Sequence, residues 1–394
     1  MIETLRFAQS DTTEMIIGLI TYGSLETISG GYLYDRKLVE YLRAQGDTVE
    51  IISLPWRNYA AHLTDNFWFR LPQSSVLARS REAATKQSPN DKGFDILIQD
   101  ELNHPSLIRA NFGMHAYPII SLVHHLRCSE FRPAWQNAFY RWVEGIYLQS
   151  VDGLILNSKT TRGMIHGLIG DGKPCIVAFP PTDRFGERIT EDEIKERAKS
   201  SELRVLFLGN VIYRKGLHTL LESVKSLRQQ PELAEGSNVR LDVVGGSTAE
   251  PKYAVAMKHY VAVNDLSSAV RFHGALDHQP LIEMYKQAHV LVVPSNYEGY
   301  GIVYLEGMGF GLPAIGTTAG GAREIISDGV DGFLIEPGNA ESLANRLELL
   351  NEKRELLIQL SLAARSRYIR QPKWEETAGQ IRGFLLQQIQ ESSV

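Results

Sequence analysis

The feature that most constrains this chain is a repeated alternation of short apolar runs with helix-length amphipathic segments. The first unit is MIIGLITYGSLETISGGYLYDRKLVEYLRAQGDTVEIISL, residues 15–54. MIIGLI reads as a buried strand, and a Gly-containing loop with Gly30 and Gly31 follows it. The next helix carries Tyr34, Leu38 and Leu42 at helical spacing, and TVEIISL reads as a second strand. Gly46 marks the helix end, where a left-handed residue is commonly needed. Parallel strands need a crossover and antiparallel ones do not, so a strand–helix–strand unit implies a parallel sheet. Further strands are expected in FDILIQD (94–100), YPIISLVHH (117–125), VDGLILNS (151–158) and PCIVAFPP (174–181). A helix over 133–149 places Trp135, Phe139, Trp142 and Ile146 on one stripe.

The pattern pauses at TDRFGERITEDEIKERAKSSE (182–202), which is polar, highly charged and poor in large apolar residues. It reads as an inter-domain linker with a short solvated helix. A second series then begins with LRVLFLGN (203–210), followed by a helix with Leu217, Leu220, Leu221, Val224 and Leu227 on one stripe. The strands VRLDVVGG, AVRFHGAL, HVLVVPS, LPAIGT and GFLIEP come next. One last helical stretch runs from AESLANRL to RSRYIR, before a separate segment near Pro372. The expected division is 1–185 for an N-terminal domain, 186–202 for the linker, 203–371 for a C-terminal domain and 372–394 for a terminal segment. Two doubly wound α/β domains would hold a ligand in the cleft between them, beyond the carboxyl ends of the strands.

A net charge of −5 gives no reason to expect non-specific nucleic-acid binding. Cys128 and Cys175 form neither a metal-ligand spacing nor a disulfide framework, which favours a reducing compartment. The N-terminus lacks the apolar core of a secretory signal, and no run approaches the roughly 20 apolar residues that span a bilayer. The expected location is the cytoplasm, with peripheral contact at the inner membrane face left open. Two segments, 55–81 and 132–147, mix aromatics with basic residues. They suit a membrane or an amphiphilic acceptor; the plainer reading turns the aromatics to the core.

The stretch PSNYEGYGIVYLEGMGFGLPAIGTTAGGAREI, residues 294–325, sets Glu298 in a loop and Glu306 inside a helix that starts close to Gly301. Helical rise separates the two carboxylates by roughly 8–12 Å, too far to act on one atom together. They suit the hydroxyls at two ends of an elongated ligand, while glycines and free amides at the helix start suit an anion. Arg214 and Lys215 in FLGNVIYRKGLHTLLESV follow a strand and precede a helix, where two cations can meet a diphosphate.

These motifs resemble the retaining glycosyltransferases of family four, whose architecture of two facing Rossmann-like domains is called GT-B. The resemblance runs almost continuously over residues 203–340. It rests on Pro294-Ser295, Glu298-Gly299-Tyr300-Gly301, Glu306, Gly311-Leu312-Pro313, Gly320-Gly321, Glu324 and Gly332-Phe333-Leu334. It implies a nucleotide-diphosphate-sugar donor with no separate cofactor. Glu306 would hold ribose hydroxyls and Glu298 the hydroxyls of the transferred sugar. The amides of Tyr300, Gly301, Ile302 and Val303 would take sugar and diphosphate oxygens. Lys215 falls on a phosphate-binding lysine, and the loop 271–276, with Gly274, borders the base. The family commonly has Arg directly after Gly209, where this chain has Asn210; Arg214 is expected to compensate.

In the N-terminal half, the resemblance implies that Gly30 and Gly31 approach the donor phosphate or the acceptor. A strand ends at His124-His125, where a family histidine faces the reacting sugar. His124 fits best by register and His125 is the alternative, since successive strand residues face opposite ways. No third metal ligand is evident beside them. Asp100, Glu101, Asn103 and His104 suit either an acceptor pocket or a packing network. The C-terminal segment resembles a helix that returns to the first domain. The reading is a retaining, metal-independent glycosyltransferase whose acceptor is a saccharide, a lipid or a small molecule. A nucleotide-sugar epimerase and a non-catalytic nucleotide-sugar-binding protein are the alternatives.

Overall fold

The computed structural model describes residues 13–27, 30–72, 93–113, 115–130, 132–181, 183–186, 189–229 and 239–392. The aromatic and basic segment 55–81 therefore lies partly outside the described residues. In the N-terminal half the elements are β1 (Ile16–Tyr22), α1 (Gly30–Ala44), β2 (Thr48–Leu54), α2 (Tyr59–Thr64), β3 (Ile96–Asp100) and α3 (His104–Asn111). They continue with β4 (Ile119–Val123), α4 (Ala134–Ser150), β5 (Gly153–Leu156), α5 (Lys159–Ile169) and β6 (Cys175–Val177), and α6 (Glu191–Arg197) bridges to the second half. There follow β7 (Leu203–Leu208), α7 (Leu217–Gln229), β8 (Val239–Val244), α8 (Pro251–Val263), β9 (Val270–Gly274), α9 (His278–Gln287) and β10 (Val290–Val292). The rest are α10 (Ile302–Gly309), β11 (Ala314–Thr317), α11 (Ala322–Ile325), β12 (Gly332–Ile335), α12 (Ala340–Glu352), α13 (Arg354–Ile369) and α14 (Trp374–Ser392).

Each half holds a six-stranded sheet, ordered β2-β1-β3-β4-β5-β6 and β12-β11-β10-β7-β8-β9. Every pairing is parallel. Both faces of the first sheet are covered by apolar clusters, one around Leu97, Leu107 and Tyr147, the other around Leu38, Ile98 and Ile381. Such burial on both faces is why these strands read as continuous apolar runs. The winding direction reverses between β1 and β3 in the first sheet and between β7 and β10 in the second. A crevice opens at such a reversal, where neighbouring strands send their loops to opposite sides. The loops after β1, β3, β7 and β10 are those that carry most of the motifs above.

The structure differs from the sequence reading in four places. Gly30 and Gly31 are the first residues of α1 rather than loop residues. The stripe Trp135, Phe139, Trp142 of α4 faces outward, at 71%, 40% and 63% exposure, while Val143, Tyr147 and Leu148 form the buried face. The linker is less solvated than its charge suggests. Ile194 is buried, and Arg197 donates to the carbonyls of Phe310 (3.0 Å) and Gly311 (2.8 Å), anchoring α6 to the second domain. The last helical stretch is two helices, broken at Lys353, where ψ is 75°. Beyond them α14 crosses back to the first domain. Its Ala378, Ile381 and Leu385 join that domain's core, and Arg382 grips both oxygens of Asp47 (2.8 and 3.0 Å).

Candidate active site

On the C-terminal side the site is assembled from the loops after β7 and β10. Tyr213–Lys215 make one 3-10 turn that ends at Gly216. Gly216 has φ +71°, and a Cβ there would lie 2.0 Å from the Pro294 carbonyl oxygen, so only glycine lets this turn reach the neighbouring loop. The approach brings Lys215 Nζ to 2.6 Å from Glu298 Oε2. Arg214 Nη1 donates to the Tyr297 carbonyl (2.9 Å) and lies 3.8 Å from Glu298 Oε1, and the Ser295 hydroxyl donates to Oε2 (3.0 Å). Burial works against the Glu298 charge, but Lys215, Arg214 and the hydrogen bonds outweigh it and hold its pKa down to about 2. The Lys215 pKa is lowered by burial, against the pull of Glu298 and with the added repulsion of Arg214. The result is a half-buried, doubly cationic corner with one carboxylate fixed in it.

Three residues after Glu298 comes Gly301, with φ 91°, as the cap of α10. The amides of the first helical turn have no intrahelical acceptor, so those of Ile302 and Val303 stand at the positive end of α10, beside that corner. The Tyr300 side chain is buried against Phe179, with ring centroids 5.9 Å apart. Gly320 has φ 85°, and a Cβ there would lie 2.1 Å from the Glu298 carbonyl oxygen. The Gly320-Gly321 turn can therefore press against the Glu298 loop, and the Gly321 amide donates to the Glu298 carbonyl at 2.7 Å. Asn210 is exposed at the end of β7, and Gly274 closes β9 with its carbonyl accepting from the Gly245 amide (2.8 Å).

Glu306 sits on α10 away from Glu298 and has separate partners. Its Oε1 accepts from Arg184 Nη1 (3.0 Å) and its Oε2 from the Tyr285 hydroxyl (2.9 Å). The two glutamates thus stand in two separate hydrogen-bond networks. Arg184 and Tyr285 carry no signal in the sequence; Arg184 falls in the charged linker and Tyr285 on an ordinary amphipathic helix.

The N-terminal domain closes on this corner. A Cβ at Gly30 would lie 3.6 Å from Ile302, one at Gly31 3.2 Å from the His124 ring, and one at Gly299 3.0 Å from the His124 carbonyl oxygen. The predicted glycines and His124 therefore meet α10 at the domain junction. His124 and His125 take different sides. His124 Nε2 hydrogen-bonds Asp35 Oδ1 of α1 (2.8 Å), whereas His125 reaches Glu130 (3.2 Å) and lies against the Tyr297 ring. Burial disfavours the His124 imidazolium, but Asp35, Asp100 and Glu101 outweigh it and raise its pKa to about 9.

Beneath His124 lies a buried acidic floor. Burial first, then neighbouring carboxylates, push Asp100 up to about 8; burial pushes Glu101 to about 8 as well, against the pull of His124 and Glu144. His104 is held down to about 4, chiefly by burial; its Nδ1 lies 3.0 Å from the Glu101 carbonyl and its Nε2 2.9 Å from the Tyr59 hydroxyl. Asn103 is fully buried with neither side-chain polar atom partnered. Among the described residues, Glu101, His104 and Glu144 lie close enough to share a cation. Glu144 accepts from the Arg127 (2.5 Å) and Cys128 (3.0 Å) amides, whereas Glu101 Oε1 is buried with no hydrogen-bond partner. Across the junction, Glu324 accepts from the Lys159 (2.8 Å) and Thr160 (2.6 Å) amides at the start of α5, so a carboxylate of one domain caps a helix of the other.

The family model of glycosyl transferases group 1 matches residues 188–367. The glycogen synthase of Mycobacterium tuberculosis is 25% identical over 280 residues, 70% of this chain and 64% of that protein. This chain spans less than two thirds of the length of the curated relatives first matched. Among solved structures, sucrose-phosphate synthase from Thermosynechococcus elongatus superposes with a TM-score of 0.74 at 20% identity, covering 96% of this chain and 100% of that one. The HepE protein of Anabaena in complex with UDP-glucose gives 0.70 at 16% identity, covering 95% and 100%. Residues 188–367 of this chain thus resemble the glycosyl transferases group 1 family, within a chain that has the two-domain GT-B fold.

Proposed function

We propose that the protein transfers a glycosyl group from a nucleoside-diphosphate sugar to an acceptor hydroxyl, with retention of anomeric configuration and without a metal ion. The observation that carries this is the corner formed by Lys215, Arg214, Glu298 and the start of α10, faced across the cleft by Gly31 and His124. As the bond to the sugar breaks, charge gathers on the departing diphosphate. Two protein cations and the amides of Ile302 and Val303 are placed to stabilise it, the role that a divalent ion fills elsewhere. Glu298, ionised throughout the physiological range, would accept from sugar hydroxyls and fix the ring. Glu306, at the other end of the helix turn, would accept from ribose hydroxyls once Arg184 gives way. The charged His124, with Nε2 held by Asp35, leaves Nδ1 for an oxygen near the reacting carbon. No side chain is placed as a covalent nucleophile in this scheme; the leaving oxygen takes the acceptor proton. The complex of HepE with UDP-glucose supports a uridine donor.

The test is a panel of nucleoside-diphosphate sugars, each followed by nucleotide release with and without saccharide, inositol and lipid-linked acceptors. Acceptor-dependent release, with the product anomer matching the donor by NMR, is expected. An epimerised sugar from donor alone, or tight donor binding without turnover under any acceptor, would replace this reading by an epimerase or a binding protein respectively.

A further inference from the structure

Four of the five tryptophans of this chain, Trp56, Trp68, Trp135 and Trp142, are exposed, and all four lie in the N-terminal domain. Trp68 follows Phe67 in the 3-10 turn after α2, Phe112 ends α3, and Trp135, Phe139 and Trp142 line the outer face of α4. These segments are one surface. Asn66 donates to the Pro105 carbonyl (2.7 Å) and accepts from the Arg109 amide (2.9 Å), tying the 3-10 turn to α3, which packs on α4. Tyr59 of α2 lies against Phe139 and Tyr140 of α4, with ring centroids 6.3 and 4.9 Å apart. Large exposed aromatics gathered in this way mark a contact surface rather than ordinary solvent-facing protein.

The charges identify the partner. In a chain of net charge −5, the charged residues of these segments that face water are arginines, Arg57, Arg70, Arg109 and Arg141, of which Arg57 pairs with the buried Asp65. The acidic residues of the same segments, Asp65, Glu101 and Glu144, are all buried. Tryptophan and arginine together suit the boundary of a bilayer, where the indole lies among headgroups and the guanidinium meets lipid phosphate. The patch also adjoins the cleft, since Tyr59 hydrogen-bonds His104 on the acidic floor.

We propose that this face docks the protein on an anionic lipid bilayer. The interaction is interfacial, because no described helix is long and apolar enough to cross a membrane. Its strength is set by aromatic burial and by the arginines, so it weakens with salt and needs acidic lipid.

The test is co-sedimentation of the full chain with vesicles of equimolar phosphatidylglycerol and phosphatidylcholine, and with phosphatidylcholine alone. Binding to the first and much weaker binding to the second are expected, with a blue shift of tryptophan emission. The double variant Trp135→Ser/Trp142→Ser should lose about tenfold or more in partition. Arg141→Glu should lower binding to the acidic vesicles alone. Circular dichroism that matches the parent keeps misfolding out of the comparison. The proposal fails if the parent stays in the supernatant at low salt, or if the tryptophan variant sediments as the parent does. It also fails if light scattering shows a dimer that the same variant dissolves, which would make the face a contact between copies.

Discussion

The pair Lys215–Glu298 shows how one half-buried ion pair prepares a site. Each charge is costly to bury alone, and each is kept ionised by the other. Lys215→Ala leaves Glu298 with Arg214 at 3.8 Å and removes one of the two cations proposed to meet the diphosphate. We expect kcat/KM to fall by about 10²–10³-fold, with Arg214→Ala costing about tenfold because Arg214 is held off by the Tyr297 carbonyl. Steady-state kinetics with the preferred donor measures both; normal affinity and turnover in both variants would remove the two cations from the mechanism. The acidic floor makes a prediction about pH. A carboxyl whose folded pKa is raised keeps its proton in the folded state after the unfolded chain has lost it. Stability from such a group is therefore complete below the ordinary carboxylate pKa and drains away as pH rises through about 8. For Glu101, Glu101→Gln should flatten the fall in Tm between pH 5 and 8 and raise Tm at pH 8 by about 2–6 °C, leaving pH 5 little changed. An unchanged slope in a thermal series would show that Glu101 is not protonated in the folded state. At this scale the sequence exposed only one side of each interaction. Glu298 and Glu306 stand in one contiguous motif and Lys215 in another, 83 residues before Glu298, but Asp35 lies 89 residues from His124 and Arg184 lies 122 from Glu306. The one local hint was Asp35 itself, a lone carboxylate on the buried face of α1 beside Tyr34 and Leu38.

At the scale of elements, strand and helix positions follow from pattern because a doubly wound sheet buries its central strands on both faces and leaves its edge strands half-buried. TVEIISL forms β2 over its whole length. Orientation was harder to read. The stripe on α4 has the spacing of a core face, yet the core takes the neighbouring stripe around Val143 and Tyr147, and only the surrounding packing decides between them. The charged linker misled for a related reason: Ile194 and Arg197 are two anchors in a polar run, and their targets lie far along the chain. The glycine turns admit a direct measurement. Gly338 has φ 76° with open space around it, whereas Gly320 combines φ 85° with a carbonyl oxygen 2.1 Å from the point a Cβ would occupy. Gly338→Ala should therefore cost about 1 kcal/mol of backbone strain alone, and Gly320→Ala about 2–4 kcal/mol. Gly320→Ala should also weaken donor binding, because relief of the clash displaces the Glu298 loop. Equal costs by denaturant titration, with donor affinity unchanged in both, would mean that the close approach is unimportant.

At the scale of the molecule, both sheets reverse their winding beside the same cleft, so the loops of β1, β3, β7 and β10 converge although they are spread over most of the chain. The convergence depends on how the domains are held. The α14 helix ties the end of the chain to the first domain through Arg382 and Asp47, and Glu324 ties the Gly320-Gly321 turn to the start of α5. Glu324 differs from an ordinary cap because it caps a helix in the other domain, so its hydrogen bonds form only when the cleft is closed. Closure excludes water from a reactive glycosyl centre. Glu324→Ala should leave each domain folded and spare the Lys215–Glu298 corner, but shift the population toward open forms. The expected outcome is a larger radius of gyration by small-angle scattering and a ratio of donor hydrolysis to transfer raised about three- to tenfold, from the loss of two charge-assisted hydrogen bonds. If scattering and the hydrolysis ratio both match the parent, the cleft is closed by the contacts of Gly30, His124 and Gly299 alone, and Glu324 serves only to cap α5.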